Sequence, residues 1–113
     1  MKDDRLYVRH IDECIGRIEQ YTADGRDAFF GSTLIQDGVI RNLQMLGQSV
    51  LKLSDSAKAA HPDVDWKSIV GLRNILVHDY LGINVQRIWE IVEHDLPDLK
   101  AKVAKIQASL PPS

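Results

Sequence analysis

Between Arg73 and Tyr80 the chain reads Arg-Asn-Ile-Leu-Val-His-Asp-Tyr. A guanidinium, a carboxamide, an imidazole and a phenol therefore fall on roughly two turns of a predicted helix. The neighbours Ile69, Val70, Leu72, Ile75, Leu76, Val77 and Leu81 call for burial. Polar groups buried without partners are costly, so this helix should either meet a polar partner or line a site. The set also suits a phosphodiester, which needs a fixed cation and a side chain that titrates near neutral pH.

Spacing limits what these groups can do together. A helix turns about 100° per residue. Asn74 and His78, four apart, share a face; Arg73 and Tyr80, seven apart, share another. Arg73 and His78 point about 140° apart on a regular helix. Three arrangements could bring them to one atom. The Arg stem can wrap round, the helix can loosen towards Gly82, or a second copy can complete the site and make the protein a dimer with a composite cleft. The structural alternative for the same residues is a paired Arg73, an Asn74 bonded to a carbonyl, a satisfied core His78 and a packed Tyr80.

The elements that must hold this segment read as helices throughout. Tyr7, Ile11, Cys14, Ile15, Ile18 and Tyr21 recur at steps of three and four, predicting an amphipathic helix over about 3–22. Asp27-Ala28-Phe29-Phe30 reads as a single turn. Thr33 and Gln36 have the spacing of a capping box, and Ile35, Val39, Leu43, Leu46, Val50 and Leu53 form the stripe that follows. Ser54 or Asp55 can cap a short helix ended by His61-Pro62. Asp65 can cap the helix that opens at Trp66, runs to about Tyr80 and stops at Gly82. Asn84 caps the last helix, in which Pro97 predicts a kink near Glu93 to Leu96. Gly47 and Gly71, lone glycines inside helices, read as points of close helix packing. The expected architecture is an all-α, up-down bundle of four main helices plus short ones, a single domain over 1–110, with Pro111-Pro112-Ser113 as a frayed tail.

Composition narrows the classes. Hydrophobic content is 44%, charged content 27% and net charge −2 in 113 residues, as in an ordinary globular domain. The acidic balance argues against a broad surface for duplex nucleic acid, but not against a small basic pocket for one or two phosphates. One Cys14 allows no internal disulfide, no apolar run approaches a membrane span, and Met1 to Arg5 leads into no signal-peptide region. A cytoplasmic protein without membrane association is expected. His10, His61, His78 and His94 lack metal-ligand spacing. Asp63 and Asp65 beside His61 read as a solvated loop, so neither metal nor cofactor is expected. No Gly-x-Ser-x-Gly elbow and no glycine-rich phosphate loop occurs.

The stretch Pro62 to Tyr80 resembles the signature of HEPN-domain proteins of the HepT-like type, Arg-Asn-x-x-x-His extended to Arg-x4-His-x-Tyr. Ile40 to Gly47 upstream and Ile88 to Pro97 downstream are similar to that family as well, so the likeness covers nearly the whole chain. It implies a homodimeric, metal-independent endoribonuclease. It implies a toxin paired with a minimal nucleotidyltransferase antitoxin that transfers AMP onto the motif's Tyr, here Tyr80. Arg73 and His78 would then be catalytic and Asn74 supporting, with Arg41 and Lys67 as phosphate or RNA contacts. His78 would act as base on the 2′-OH or as acid to the leaving 5′ oxygen, and an imidazole's ordinary pKa of about 6.5 suits both. The sequence departs from the pattern at Gly47-Gln48-Ser49, where relatives often carry Glu in place of Gln48, and this bears on activity. The alternative in another class is a non-catalytic dimeric module that scaffolds or regulates a nucleotidyltransferase.

Overall fold

The computed structural model describes residues 3–110, with the side chain of Tyr80 left out of the description. The expected tail at Pro111 to Ser113 lies outside the described residues. The helices are α1 (Asp4–Tyr21), α2 (Arg26–Phe30), α3 (Thr33–Lys52), α4 (Asp55–Ala60), α5 (Trp66–His78), α6 (Val85–Glu90) and α7 (Leu96–Ser109). A 3₁₀ turn spans Tyr80–Gly82 and a π turn spans Ile91–Asp95. No strand occurs among the described residues. None of the described helices is long and apolar enough to cross a membrane.

The core follows the helical stripes. Ile11, Ile15 and Ile18 of α1 meet Val39, Leu43 and Val50 of α3, and α7 closes the group with Leu99, Val103 and Ile106. Phe29 of α2 is fully buried, its ring 5.2 Å from that of Trp89. α5 packs on the other side of α3 and forms the outer layer.

That outer position corrects the expectation that α5 buries its apolar residues. Only Leu76 of α5 is buried, while Ile69, Val70 and Leu72 are half-buried. Ile75 is 57% exposed, Leu81 88% exposed, and Val77 is exposed too. Among the described elements, α3 makes the main contact with α5, and Ile75, Val77 and Leu81 face away from it, exposed.

Local chemistry sets the helix ends. Asp65 accepts hydrogen bonds from the Ser68 amide (3.2 Å) and hydroxyl (2.6 Å), and these hold its carboxyl below the usual carboxylate range. Ser54 and Asn84 cap α4 and α6 by accepting from Ala57 N and Arg87 N. The expected Thr33 box does not form. Ser32, extended at φ −137°, is the cap and accepts from Ile35 N, while the Gln36 amide donates back to the carbonyls of Phe29 and Phe30. Pro97, lacking an N–H and crowding the carbonyl four residues back, sits just past the π turn, which is the form the expected kink takes. Three hydrogen bonds tie down the start of α5. Trp66 Nε1 donates to the carbonyls of Lys58 and His61, and Lys102 of α7 donates to the Asp63 carbonyl at 2.7 Å.

Asp4 gives the bundle an acid-sensitive tie. Burial raises its pKa, but hydrogen bonds from the Ser54 hydroxyl (2.6 Å) and amide (2.9 Å) outweigh it, so the carboxyl lies below its ordinary value. A carboxyl depressed on folding adds stability above its unfolded pKa of about 3.9 and loses it as pH falls through the folded value. Asp4→Ala should therefore cost about 1.5–3 kcal/mol at pH 7. The difference from wild type should vanish well below pH 4 in urea titrations; a pH-independent difference would refute the ionic tie.

Candidate active site on the α3–α5 face

Two contacts set the register of α3 against α5. At Gly47 a Cβ would stand 2.3 Å from Arg73 Cβ and 2.8 Å from its Cγ, so the bare backbone there is what lets the Arg73 stem lie across α3. One turn earlier, Gln44 donates its amide to the Leu76 carbonyl at 3.0 Å, satisfying one of the orphan carbonyls in the last turn of α5. Moving back along α3 from Gly47 to Gln44 thus moves forward along α5 from Arg73 to Leu76, and the helices are antiparallel. The next turn back on α3, that of Arg41, is level with the C-terminal end of α5.

Close packing at Gly47 agrees with the sequence expectation, and at Gly71 it does not. A Cβ on Gly71 would meet nothing within 4 Å, because α5 turns that position away from α3.

Arg73 is half-buried, with its stem held by Gly47 and its Nη1 donating to Asn74 Oδ1 at 2.9 Å. Asn74 and His78 are exposed, one turn apart on the same face. The guanidinium thus meets Asn74, which shares its face with His78. Loosening does not contribute. α5 stays regular through His78, and the 3₁₀ turn begins only at Tyr80. Tyr80 opens that turn, two residues past the imidazole, where the Gly82 amide donates to the Asp79 carbonyl.

Of the other expected contacts, Arg41 is exposed at the His78 end of α5, and Lys67 is exposed on its first turn. Lys67 lies about 16 Å along the axis from His78. Gln48 is exposed beside Gly47, level with Arg73. Asn42, in the upstream segment that resembles the family, is instead buried and donates to the Gly38 carbonyl at 2.9 Å. No residue pattern signals that Gln44 braces the end of α5. Gly47 stood out as a glycine, but nothing in the chain identified Arg73 as the residue it accommodates.

A hollow of about 560 Å³ opens between α3, α5 and the π turn, and a smaller one of about 250 Å³ lies beside α4. Neither is lined by Arg73, Asn74 or His78. Asn74 and His78 are exposed and Arg73 is half-buried, outside both hollows.

Comparison with known proteins gives a family. The model described as "Ribonuclease HepT-like" matches residues 11–106. A Methanocaldococcus jannaschii protein named "gamma-glutamylcyclotransferase and putative RNase" is 36% identical over 96% of this chain, which spans 50% of that protein's length. A "putative RNase" of Caldanaerobacter subterraneus subsp. tengcongensis is 33% identical, covering 94% of this chain and 96% of its own. The "mRNA nuclease HepT" of Shewanella oneidensis is 33% identical, covering 89% of this chain and 93% of its own. No solved structure matches the chain at a significant level.

Proposed function

Because the chain belongs to the HepT-like ribonuclease family, we propose that it is an endoribonuclease that needs no metal and is the toxin of a toxin–antitoxin pair. The observation that supports this reading is the Arg73–Asn74–His78 arrangement: a guanidinium whose stem lies against Gly47 and whose head donates to Asn74, with an exposed imidazole one turn on, on the face of Asn74.

RNA brings its own nucleophile. His78 takes the proton of the 2′-OH, or gives one to the departing 5′ oxygen. The bond from O2′ to phosphorus forms, the bond from phosphorus to O5′ breaks, and the products are a 2′,3′-cyclic phosphate and a 5′-OH. Arg73 binds the scissile phosphate and stabilises the added charge of the transition state. Asn74 holds the guanidinium towards His78, and Arg41 and Lys67 bind flanking phosphates. RNA incubated with the purified protein in EDTA should yield those ends. No cleavage by a folded protein would leave the non-catalytic scaffold as the reading. Induction without the partner should then leave growth unaffected, where a toxin would arrest it.

An exposed imidazole is poorly shielded from water for this chemistry, and a second copy would make a cleft. Ile75 and Leu81 supply exposed apolar surface beside His78 for a two-fold interface. Ile75→Glu should convert a dimer to a monomer in sedimentation and remove most cleavage, with little change in monomer stability because the side chain is exposed. A monomeric wild type with full activity would sink the composite cleft.

The antitoxin in this reading is a minimal nucleotidyltransferase. Its reaction joins the Tyr80 phenol oxygen to the α-phosphorus of ATP and breaks the α–β anhydride, releasing pyrophosphate and the phenol proton. The added phosphate then competes with RNA for Arg73. Mass spectrometry after co-expression should find AMP on Tyr80. Silencing that persists in Tyr80→Phe would mean inhibition by binding alone. The pair acts in the cytoplasm, where its RNA is.

A further inference from the structure

The hollow of about 560 Å³ lies apart from Arg73, Asn74 and His78, none of which lines it. α5 rests mainly on α3, and the hollow separates it from α7 and the π turn. The floor is apolar, made by Leu43 and Leu46 of α3, Ile69 and Leu72 of α5, and Leu96 and Leu99 of α7. Ile69 and Leu72 are half-buried and the other four are buried. A space of this volume over such a floor has the size of a small-molecule site.

The rim is charged, and its balance is acidic. Asp63, Asp65, Asp95 and Asp98 stand on it against two permanent cations, Arg87 and Lys102. Both cations are engaged within the protein. Lys102 Nζ donates to the Asp63 carbonyl at 2.7 Å and pairs with Asp98 at 3.0 Å. Arg87 lies 3.5 Å from Glu90 and 4.0 Å from Asp95. Asp65 accepts from Ser68. Two carboxylates are left over. Among the described residues no hydrogen bond or ion pair engages the Asp63 side chain, and Asp95 has only Arg87 at its long distance. The π turn, a form that recurs at functional sites, contributes His94 and Asp95 to this rim. An anion entering the hollow meets surplus negative charge. A cation meets Asp63 and Asp95 beside an apolar floor, where attraction between charges is stronger than in bulk water.

We infer that this hollow is a binding site for a small organic cation, an aryl or alkyl body carrying one amine or amidine. The body covers the leucines of the floor. The head pairs with the Asp63 carboxylate, and Asp95 adds to the field that favours it. Neither acid has to give up a strong bond to do so. The site goes beyond the ribonuclease reading and does not rest on it, because the ligand touches neither Arg73 nor His78 and no covalent bond changes.

Three probes with one body and different heads test it: 4-phenylbutylamine, 4-phenylbutanol and 4-phenylbutyrate, titrated into protein with ¹³C-labelled Leu, Ile and Val methyl groups. The amine should shift the methyls of Leu46, Leu72 and Leu99 along a saturable curve. It should bind about three- to tenfold more tightly than the alcohol, as one or two exposed ion pairs allow, and the carboxylate should bind least. Added salt should narrow the gap between amine and alcohol. Asp63→Asn keeps the backbone carbonyl that Lys102 holds, and both Asp63 and Asp95 are exposed, so neither asparagine should disturb the fold. Asp63→Asn should bring the amine down to the level of the alcohol and leave the alcohol where it was. Asp95→Asn should do part of this, and Asp24→Asn, in the turn after α1, none of it. His78→Ala should bind the amine as wild type does. Equal binding of all three compounds would make the hollow a seat for an apolar side chain of a partner or a second copy, and would overturn the cation site. So would shifts confined to methyls outside the hollow, no shifts with any compound, or an advantage of the amine that survives Asp63→Asn.

Discussion

His78→Ala should lower the rate of RNA cleavage about 10²–10⁴-fold, the usual contribution of a positioned acid or base. Arg73→Ala should lose about 10²–10³-fold, as when one group that stabilises a developing oxyanion charge is removed. Arg73→Lys should recover little of that. The native guanidinium is aimed by its bond to Asn74 at 2.9 Å and by a stem that rests on Gly47. A lysine keeps the charge and loses the planar fork that meets both a carboxamide and a phosphate. The double substitution should be scarcely worse than the worse single one, because groups that act in one step are not additive. Both side chains lie outside the main core cluster, so circular dichroism and melting curves should stay close to wild type and confine the effect to chemistry. Cleavage at equal rates by wild type and all four variants would remove these residues from the mechanism.

What could be read from the sequence follows from the range of the interactions. Caps at Ser54, Asp65 and Asn84 were legible because each is settled within three residues. So was the disturbance before Pro97, which arises from a missing N–H. The Thr33 box failed for a local reason too. Ser32, one residue earlier, has a hydroxyl already placed in an extended conformation, and Gln36 finds better acceptors in the carbonyls that end α2. The apolar residues of α5 misled in a different way. Their types say that they need cover, but not whether the cover belongs to the same chain. α3 takes Leu76 and part of Leu72, and leaves Ile75 and Leu81 outward. The motif residues were legible as types. Their mutual placement was not, since the turn of the Arg73 head onto Asn74 depends on where α3 lets its stem lie.

Gly47 and Gly71 make this distinction measurable. In sequence they are alike, each a lone glycine in a helix, where alanine is ordinarily favoured by about 0.8–1 kcal/mol. Gly71→Ala, with nothing within 4 Å of the new methyl, should realise that gain and raise the melting temperature by a few degrees. Gly47→Ala should do the opposite. Its methyl would meet the first two carbons of the Arg73 stem, and the first of these is fixed to the α5 backbone and cannot swing aside. α5 must therefore move away from α3, at about 1–3 kcal/mol of overpacking. The Gln44 bond to Leu76 is strained in the same motion. An outward shift of about 1 Å carries Arg73 with it, and a misplacement of that size can cost about 10² in rate. Gly47→Ala should thus lose both stability and cleavage, while Gly71→Ala, on the same face as Asn74 and His78, gains the first and keeps the second. If both alanines behaved alike in melting and in cleavage, the Arg73 stem would not be seated on α3, and the guanidinium would have no fixed place from which to meet a phosphate.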